Sequence, residues 1–364
     1  MFIHITTRTL AAAALIAWGA AAATQPVEVP PAPSPVGQES RPNLPSFTLY
    51  FENDGTFVRP NGNTDRHYTS GQGFSFAWHR TGGDALAEAL SLPAEGTAAG
   101  LILAQQIFTP SQLSVPFPPT DDRPYAGYLF LGGFWQRQFR HTLDHVQLDV
   151  GVVGPSSGAE AVQEWFHDIF AEVDPDWRTQ LGDEVAVNFT YRRKWRIDLW
   201  TSELMTLDDG VTPRSVYRPQ RWGWQLIPEV GLDVGTVYRR AHVGAATRFG
   251  FNLPDDFGPA RLTDVGSATG RPVDGLSTYA FVKATGRYVE WNTFIEGNYQ
   301  RDPSPAVSLE PFLGELAGGF AVDWRRGNWL FGVDYTQTFF TDEFEEQTTN
   351  DVLGSLAVRA RYEF

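Results

Sequence analysis

The sequence predicts an all-β fold: a twelve-stranded antiparallel transmembrane β-barrel with a short extracellular loop helix. The first observation is the segment 353–364, where apolar residues alternate with polar ones, among them Ser355, Arg359 and Arg361. A strand with this alternation has one face suited to lipid and one suited to a polar lumen. The second is that the same alternation recurs along the chain. The third is that no apolar run after the N-terminal segment is long enough for a helical span.

The N-terminal segment predicts export. Arg8 precedes the apolar run 10–18, and the small residues 20–23 offer cleavage sites, which is typical of a signal peptide over residues 1–23. An ordinary core helix is the alternative. The Pro-rich residues 24–45 predict a disordered linker, and 46–364 the barrel. The chain ends on Phe364, and a C-terminal aromatic residue on such a strand is typical of barrels in the bacterial outer membrane.

Twelve segments carry the strand pattern, and the third and ninth are the least regular. They are 47–51, 74–78, 101–108, 128–134, 146–152, 185–191, 226–234, 243–251, 277–298, 320–324, 329–335 and 353–364. An even number places both termini in the periplasm and the connections after odd-numbered strands outside the cell. The sheet must close, because an open edge in lipid leaves unpaired backbone groups. A soluble β-sandwich is the alternative, but aromatic residues crowd the outward parity.

Composition and charge exclude some functions. The net charge of −15 argues against nucleic-acid binding, which needs a basic surface. Charged residues on the inward parity predict a narrow lumen filled with ion pairs, which disfavours a wide pore. These inward residues are Glu229, Asp233, Arg248, Asp323, Arg325 and Arg359. A narrow channel or a structural barrel remains an alternative.

The connection after the fifth strand predicts a helix from Gly158 to about Glu172. Ser157 and Glu160 have capping-box spacing. The apolar residues of this segment follow helical spacing and form one face, which suits the outer-leaflet interface. They are Val162, Trp165, Phe166 and Ile169.

Two polar clusters at predicted extracellular ends are candidate sites. Asn53 and Asp54 end the first strand, and their oxygens suit a hard cation such as Ca²⁺. A polar hairpin rim is the alternative. On the loop helix, Gln163 and His167 share a face, and the imidazole can act as a general base. An exposed histidine without a role is the alternative there. Two interpretations are open for Glu172. It either orients the imidazole or binds a cation, or it is a solvated residue at the helix end.

Several familiar catalytic motifs are missing from the sequence. There is no zinc-binding helix motif, no phosphate-binding loop and no histidine beside a serine in a suggestive frame. If the protein is a hydrolase, water is therefore the expected nucleophile.

Several motifs together resemble the outer-membrane lipid A 3-O-deacylase family. They are FEND (51–54), TDRHYTSG (64–71), QQIFTP (105–110), DDRPYAGYL (121–129), GVVGPSSGAEAVQEWFHD (151–168) and LIPEVGLDVGTVY (226–238). The resemblance implies a twelve-stranded barrel that removes the 3′-linked acyloxyacyl chain from lipid A and depends on Ca²⁺. The expected partner is lipopolysaccharide of the outer leaflet, and we expect a membrane-embedded monomer.

The resemblance also implies roles for residues at the matching positions. Asn53, Asp54, Thr69, Ser70, Gln163 and His167 would form the catalytic site, with His167 as the base that activates water, and Asp54, Asn53 and Glu172 would be the metal ligands. His67 and Ser70 depart from the family segment, which usually reads YYTNG.

Two arginines in the predicted extracellular motifs are candidates for substrate binding. Arg66 and Arg123 are candidates for lipid A phosphates, since arginine makes bidentate phosphate contacts. The high arginine content could equally reflect genome composition. An outer-membrane phospholipase is an alternative activity, although such enzymes use a Ser-His pair that this sequence does not signal.

Overall fold

The computed structural model describes residues 44–54, 66–113, 121–170, 175–202, 221–264, 266–269, 275–301, 303–348 and 350–362. These residues form a closed antiparallel barrel of twelve strands, which confirms the predicted fold class. The predicted signal peptide, most of the predicted linker, Glu172 and Phe364 lie outside the described residues.

The strands follow one another around the barrel in chain order. They are β1 Leu44–Asn53, β2 His67–Thr81, β3 Gly96–Thr109, β4 Ala126–Phe139, β5 Thr142–Val153, β6 Glu184–Trp195, β7 Ile197–Thr201, β8 Trp222–Gly235, β9 Tyr238–Phe251, β10 Leu276–Asn292, β11 Phe312–Arg326, β12 Trp329–Phe340 and β13 Val352–Tyr362. The barrel closes where β1 pairs with β13, with Phe47 opposite Ala360.

Segments β6 and β7 form one barrel strand. Both pair with β8, and Arg196 interrupts them. The Arg196 N–H donates to the carbonyl of His141, at the turn where β5 begins, over 2.8 Å. Beyond this point the strand has lost its β5 partner and pairs through β7 with β8 alone. The thirteen segments therefore make twelve strands.

Helices are few and short in the described part of the chain. They are α1 Ala85–Ala89, α2 Ala159–Phe170 and α3 Thr293–Glu296, with 3-10 turns at Pro155–Ser157 and Trp177–Thr179. No described helix is both long enough and apolar enough to cross a bilayer. The predicted capping box is wrong. Gly158 stands between the 3-10 turn and α2, and the carboxylate of Glu160 accepts a hydrogen bond from Gln180 instead of turning back to the helix start.

Side-chain alternation follows the predicted parity on most strands. On β1, for example, Phe47, Leu49 and Phe51 are each about half exposed, as lipid-facing residues must be. Strand β4 differs, because its aromatic residues Tyr128 and Phe130 are buried and face the lumen.

The irregular ninth predicted strand has a local explanation. Strand β10 carries a register shift between Val289 and Trp291, which breaks the two-residue period. The strand then ends at Asn292, whose side-chain oxygen caps α3 by accepting the N–H of Phe294 at 3.1 Å. The predicted strand 277–298 is therefore six residues too long at its end.

The connection between β9 and β10 fills the lumen. We call its described residues 253–264 and 266–269 the lumenal segment. Asp264 binds both lysines of the chain, with each carboxylate oxygen 2.8 Å from one Nζ of Lys194 or Lys283. The N–H of Leu262 donates to Glu52 on β1 over 3.1 Å. The long inner connection is thus a folded plug rather than a free loop.

Ion pairs account for the inward charges, as predicted. Asp233 lies between Arg192 at 2.9 Å and Arg240 at 2.7 Å, and Asp323 pairs with Arg359 at 2.9 Å. Of the other predicted inward residues, Glu229 pairs with Lys283, and Arg248 pairs with Asp256 on the lumenal segment. Arg325 is partly buried near the end of β11. Pairing is required because an isolated charge in a buried lumen is costly.

The filled lumen predicts a closed barrel in conductance measurements. In planar bilayers, the wild-type protein should carry no large steady current. A variant whose residues 255–268 are replaced by a short Gly-Ser turn should conduct, since it leaves a hydrated, charged lumen. Heat-modifiable migration on gels would establish that both proteins are folded. A large current through the folded wild type would contradict the plug.

Candidate active site at the outer rim

One end of the barrel, here called the outer rim, carries the connections after β1, β3, β5, β8, β10 and β12. Asp54 lies at this rim, directly after β1, and is 6% exposed. Its N–H donates to the carbonyl of Thr69 at 3.1 Å, and its Oδ2 accepts the backbone N–H of Arg66 at 2.7 Å. The start of β2 therefore holds the Asp54 carboxylate. Asn53 pairs in register with Ser70.

A β-bulge shapes the start of β2. Tyr68 opposes Phe108 on β3 and Ser70 opposes Ile107, so Thr69 is the extra residue. Its hydroxyl lies 2.6 Å from the hydroxyl of Thr109, and either oxygen can donate. The bulge thus turns the buried Thr69 side chain toward the end of β3.

Helix α2 packs directly on the outside of β3 and β4. Ala159 packs with Ile107 and Trp177 in one apolar cluster. A Cβ on Gly127 of β4 would lie 2.0 Å from Ser157 Oγ and 2.3 Å from Ala159 Cβ, so only glycine permits this approach. The helix also explains the weak alternation of the third predicted strand, because Ile107 has outward parity and yet is buried.

Gln163 and His167 lie on the buried side of α2, exposed by only 4% and 2%. His167 is therefore not the exposed histidine that the alternative expected. Gln163 Oε1 accepts the indole N–H of Trp177 at 3.0 Å, and its Nε2 has no hydrogen-bond partner among the described residues. The opposite side of the helix is open, since Trp165 is 61% exposed and Ile169 is 54% exposed.

The predicted catalytic residues thus form two groups on either side of the end of β3. Asn53, Asp54, Thr69 and Ser70 lie at the ends of β1 and β2, and Thr69 contacts Thr109. Gln163 and His167 lie on the buried side of α2, which packs against Ile107 through Ala159. Residues of three separate segments, β1, β2 and α2, therefore lie around the end of β3.

The two predicted phosphate-binding arginines have different surroundings. Arg123 is fully buried, pairs with Glu343 at 2.9 Å and lies 5.0 Å above the ring of Phe108. Arg66 is partly exposed and donates to the carbonyl of Asn350 at 3.1 Å. Arg66 Nε also lies 3.6 Å from Asp351, whereas Arg123 ties two connections of the rim together.

A cavity of about 960 Å³, counting its open mouth, lies inside the barrel below the rim. Its lining includes Asp54, Arg66, Tyr68, Glu343 and Asp351. The Asp54 group therefore has a water-accessible lumen on one side and the helix-covered wall of β3 on the other.

The donor chemistry fits a hard cation in type. Asp54 and Asn53 offer carboxylate, amide and carbonyl oxygens, which are the ligands that Ca²⁺ prefers. No group of three or more His, Asp or Glu side chains poised for a metal occurs among the described residues. Glu172, the second predicted acidic ligand, lies outside those residues.

Sequence reasoning missed several groups that build the site. Trp177 anchors Gln163, and Thr109 anchors Thr69. Thr109 lies within the QQIFTP motif, so that motif carried a signal for it. Trp177 follows the helix in an irregular segment, where periodicity carries no information.

The packing of α2 predicts a matched pair of glycine variants on β4. Gly127→Ala should displace α2, because the new Cβ would meet Ser157 and Ala159. Limited proteolysis should then cut near α2 in a barrel that remains folded. Gly133→Ala on the same strand is the control, since its Cβ would meet nothing closer than 4.0 Å. Equal protease resistance of the two variants would contradict the close packing.

Comparisons with known proteins agree with this architecture. A family model described as "Outer membrane protein LpxR" matches residues 10–362. The solved structure of LpxR from Salmonella typhimurium is 18% identical with a TM-score of 0.65, covering 88% of this chain and all of that one, and so shares the fold.

Two other solved barrels align more weakly. The β domain of the Bordetella autotransporter BrkA is 11% identical with a TM-score of 0.41, over 90% of this chain and 100% of that one. The translocator domain of NalP from Neisseria meningitidis is 8% identical with a TM-score of 0.34, over 98% and 97%. No curated protein matches the sequence. From the family match over nearly its whole length, the chain belongs to the LpxR family of outer-membrane proteins.

Proposed function

We propose that this protein is a lipid A deacylase, which hydrolyses the ester that joins the 3′ acyloxyacyl chain to lipid A in the outer leaflet. Family membership supports the substrate class. The observation that carries the proposal is the burial of His167 and Gln163 on the barrel-facing side of α2, whose other side is apolar and exposed. This arrangement offers a base at the depth of an interfacial ester.

Lipid access follows from the exposed side of α2. Trp165, Phe166 and Ile169 are suited to the outer-leaflet interface, where aromatic residues of barrels concentrate. The acyl chains of a lipid A molecule beside the barrel would lie along the outward residues of β3 and β4. Its ester carbonyl would then approach the crevice from the lipid side.

The chemical step is direct hydrolysis. His167 takes a proton from a water molecule as the water oxygen bonds to the ester carbonyl carbon. The resulting imidazolium returns the proton to the departing sugar oxygen when the carbon–oxygen bond breaks. The products are the acyloxyacyl carboxylic acid and a free 3′ hydroxyl group on the sugar.

The remaining residues bind and orient. Gln163 Nε2 is a buried donor able to hold the water or the carbonyl, while Trp177 fixes the other end of its amide. Thr69 and Ser70 line the approach beside Ile107. Asp54 and Asn53, with Glu172, would hold Ca²⁺. When bound, the ion would supply positive charge for the developing oxyanion. Arg66 would bind a lipid A phosphate.

Replacing the base tests the proposal. His167→Ala should lower the rate of lipid A deacylation by roughly 10²- to 10⁴-fold, because general-base catalysis is lost. The measurement is mass spectrometry of lipid A from cells that make the protein. Asp168→Asn, an exposed change at the next residue, is the control and should keep full activity.

The same assay separates the alternatives. A mass loss of one acyloxyacyl group that requires His167 supports the deacylase. Unchanged lipid A with folded wild-type protein would overturn it. Release of fatty acid from glycerophospholipids under those conditions would assign a phospholipase.

Calcium removal tests the proposed ligands. Chelation should abolish deacylation by the wild type, and added Ca²⁺ should restore it. Asp54→Asn should raise the Ca²⁺ concentration needed for half-maximal activity by at least tenfold, since a carboxylate ligand is lost. Full activity in a chelator would contradict a metal-dependent step.

A further inference from the structure

His67 occupies an unusual place at the outer rim. Its φ is +59°, in the left-handed region that non-glycine residues rarely adopt. The ring is 3% exposed and meets Phe344 edge-on, with the centroids 5.2 Å apart. None of the proposed catalytic steps uses this histidine. A strained, buried, titratable residue therefore stands next to the Asp54 group without an assigned role.

Both ring nitrogens of His67 face carboxylates. Nδ1 lies 2.7 Å from each oxygen of Asp351, and Nε2 lies 3.4 Å from Oδ1 of Asp122. A neutral imidazole has only one N–H and would turn a lone pair toward one of these carboxylates. The geometry therefore selects the doubly protonated imidazolium, which donates toward both.

His67 lies beyond the exposed apolar residues of β2, which run from Phe74 to Trp78. Burial lowers the pKa of His67, but its contacts with Asp122 and Asp351 outweigh burial and raise the pKa above the usual histidine value. For Asp122, burial raises the pKa, yet hydrogen bonds from His67 and Ser111 lower it to about 2. Both shifts favour the charged pair.

Other charged groups face this cluster from each connection packed on it. Arg66 Nε lies 3.6 Å from Asp351. Arg123, beside Asp122, opposes protonation of His67 but is itself paired with Glu343. The nearby amide of Gln347 donates to Asp351 at 3.3 Å. The imidazolium therefore sits among three acids, Asp122, Asp351 and Glu343, and two guanidinium groups.

Backbone geometry connects His67 to Asp54. The residue before His67 is Arg66, whose N–H donates to Asp54 Oδ2 at 2.7 Å. Asp122 is anchored in turn by the N–H and hydroxyl of Ser111, at 2.8 and 2.6 Å. A ring held from two sides fixes the backbone position of His67, which is one residue away from the Arg66 N–H that donates to Asp54.

We propose that His67 is a positioning residue for Asp54: its imidazolium clamps the connections after β1, β3 and β12 together and keeps the Arg66 N–H on the Asp54 carboxylate. This inference rests on the proposed function of Asp54. When the ring loses one proton, it turns a lone pair toward one of the carboxylates, and the clamp loosens. Asp54 then loses its hydrogen bond from the Arg66 N–H. Because the folded-state pKa is raised, the clamp is complete at acidic pH and is lost as pH rises through that pKa.

The test is the pH dependence of kcat for lipid A hydrolysis by purified protein. The wild type should show an alkaline limb that comes from His67. The alkaline fall in kcat should be about 10- to 100-fold, as expected for a displaced catalytic group, with a smaller change in KM. His67→Asn tolerates positive φ but cannot become charged. It should have low kcat without the alkaline limb.

Two further variants sharpen the result. Asp122→Asn should move the alkaline limb to lower pH, because one carboxylate that stabilises the imidazolium is gone. His141→Asn, at an exposed histidine of the opposite rim, should leave the whole profile unchanged. An alkaline limb that persists unaltered in His67→Asn would overturn the proposal.

A readout independent of activity separates this inference from the proposed function. Nuclear magnetic resonance of ¹⁵N-labelled protein should show His67 titrating above the usual histidine range. The amide proton shift of Arg66, which reports its hydrogen bond to Asp54, should follow the same curve. A neutral His67 ring at pH 6, or an Arg66 amide insensitive to its titration, would refute the clamp even if the enzyme is active. If the wild type is inactive but the His67 ring and the Arg66 amide proton titrate together, only the proposed deacylase function would be refuted.

Discussion

Closure of the sheet by the pairing of β1 with β13 is the constraint on which the rest of the structure depends. In lipid, each unpaired backbone group costs several kcal/mol, so a spanning sheet has to pair its first strand with its last. Closure sets the ends of β1, β2 and β13 side by side at the outer rim. Asp54, Arg66 and Asp351 are neighbours there because these three strands are adjacent, although Asp351 is distant in the chain.

Closure also creates an interior that has to be filled. The lumenal segment does so with charges that match the wall, as where Asp264 lies between Lys194 and Lys283. It reaches as far as Glu52, the residue before the Asn53–Asp54 pair. A Cβ on Gly73 of β2 would come within 2.9 Å of Leu262, so the glycine at this position lets the lumenal segment pack closely against β2. The lumenal segment thus supports β1 and β2, whose outer ends carry part of the candidate site.

The outer wall and the rim serve the candidate site in different ways. On the outside, α2 buries His167 and Gln163 against β3 and β4 while exposing an apolar side. At the rim, polar contacts between connections hold the backbone that carries Asp54, and a solvent-filled cavity reaches it from within. A lipid-facing approach and a water-accessible approach therefore meet near the end of β3, which is the arrangement that the proposed hydrolysis of a lipid ester would use.

The sequence by itself determined the strand alternation, the number of strands, the loop helix and the candidate residues, because two-residue and helical periods are local properties of the chain. It also indicated the inward charges, such as Asp233 and Asp323, whose pairing the structure confirms. It did not reveal the lumenal segment, the inward aromatic residues of β4, the bulge at Thr69 or the burial of His167. The partners of His67 were equally hidden, since Asp351 lies 284 residues away. Only the tertiary structure decided these features, because they depend on which segments closure and packing bring together, and no local period encodes contacts between distant parts of a chain.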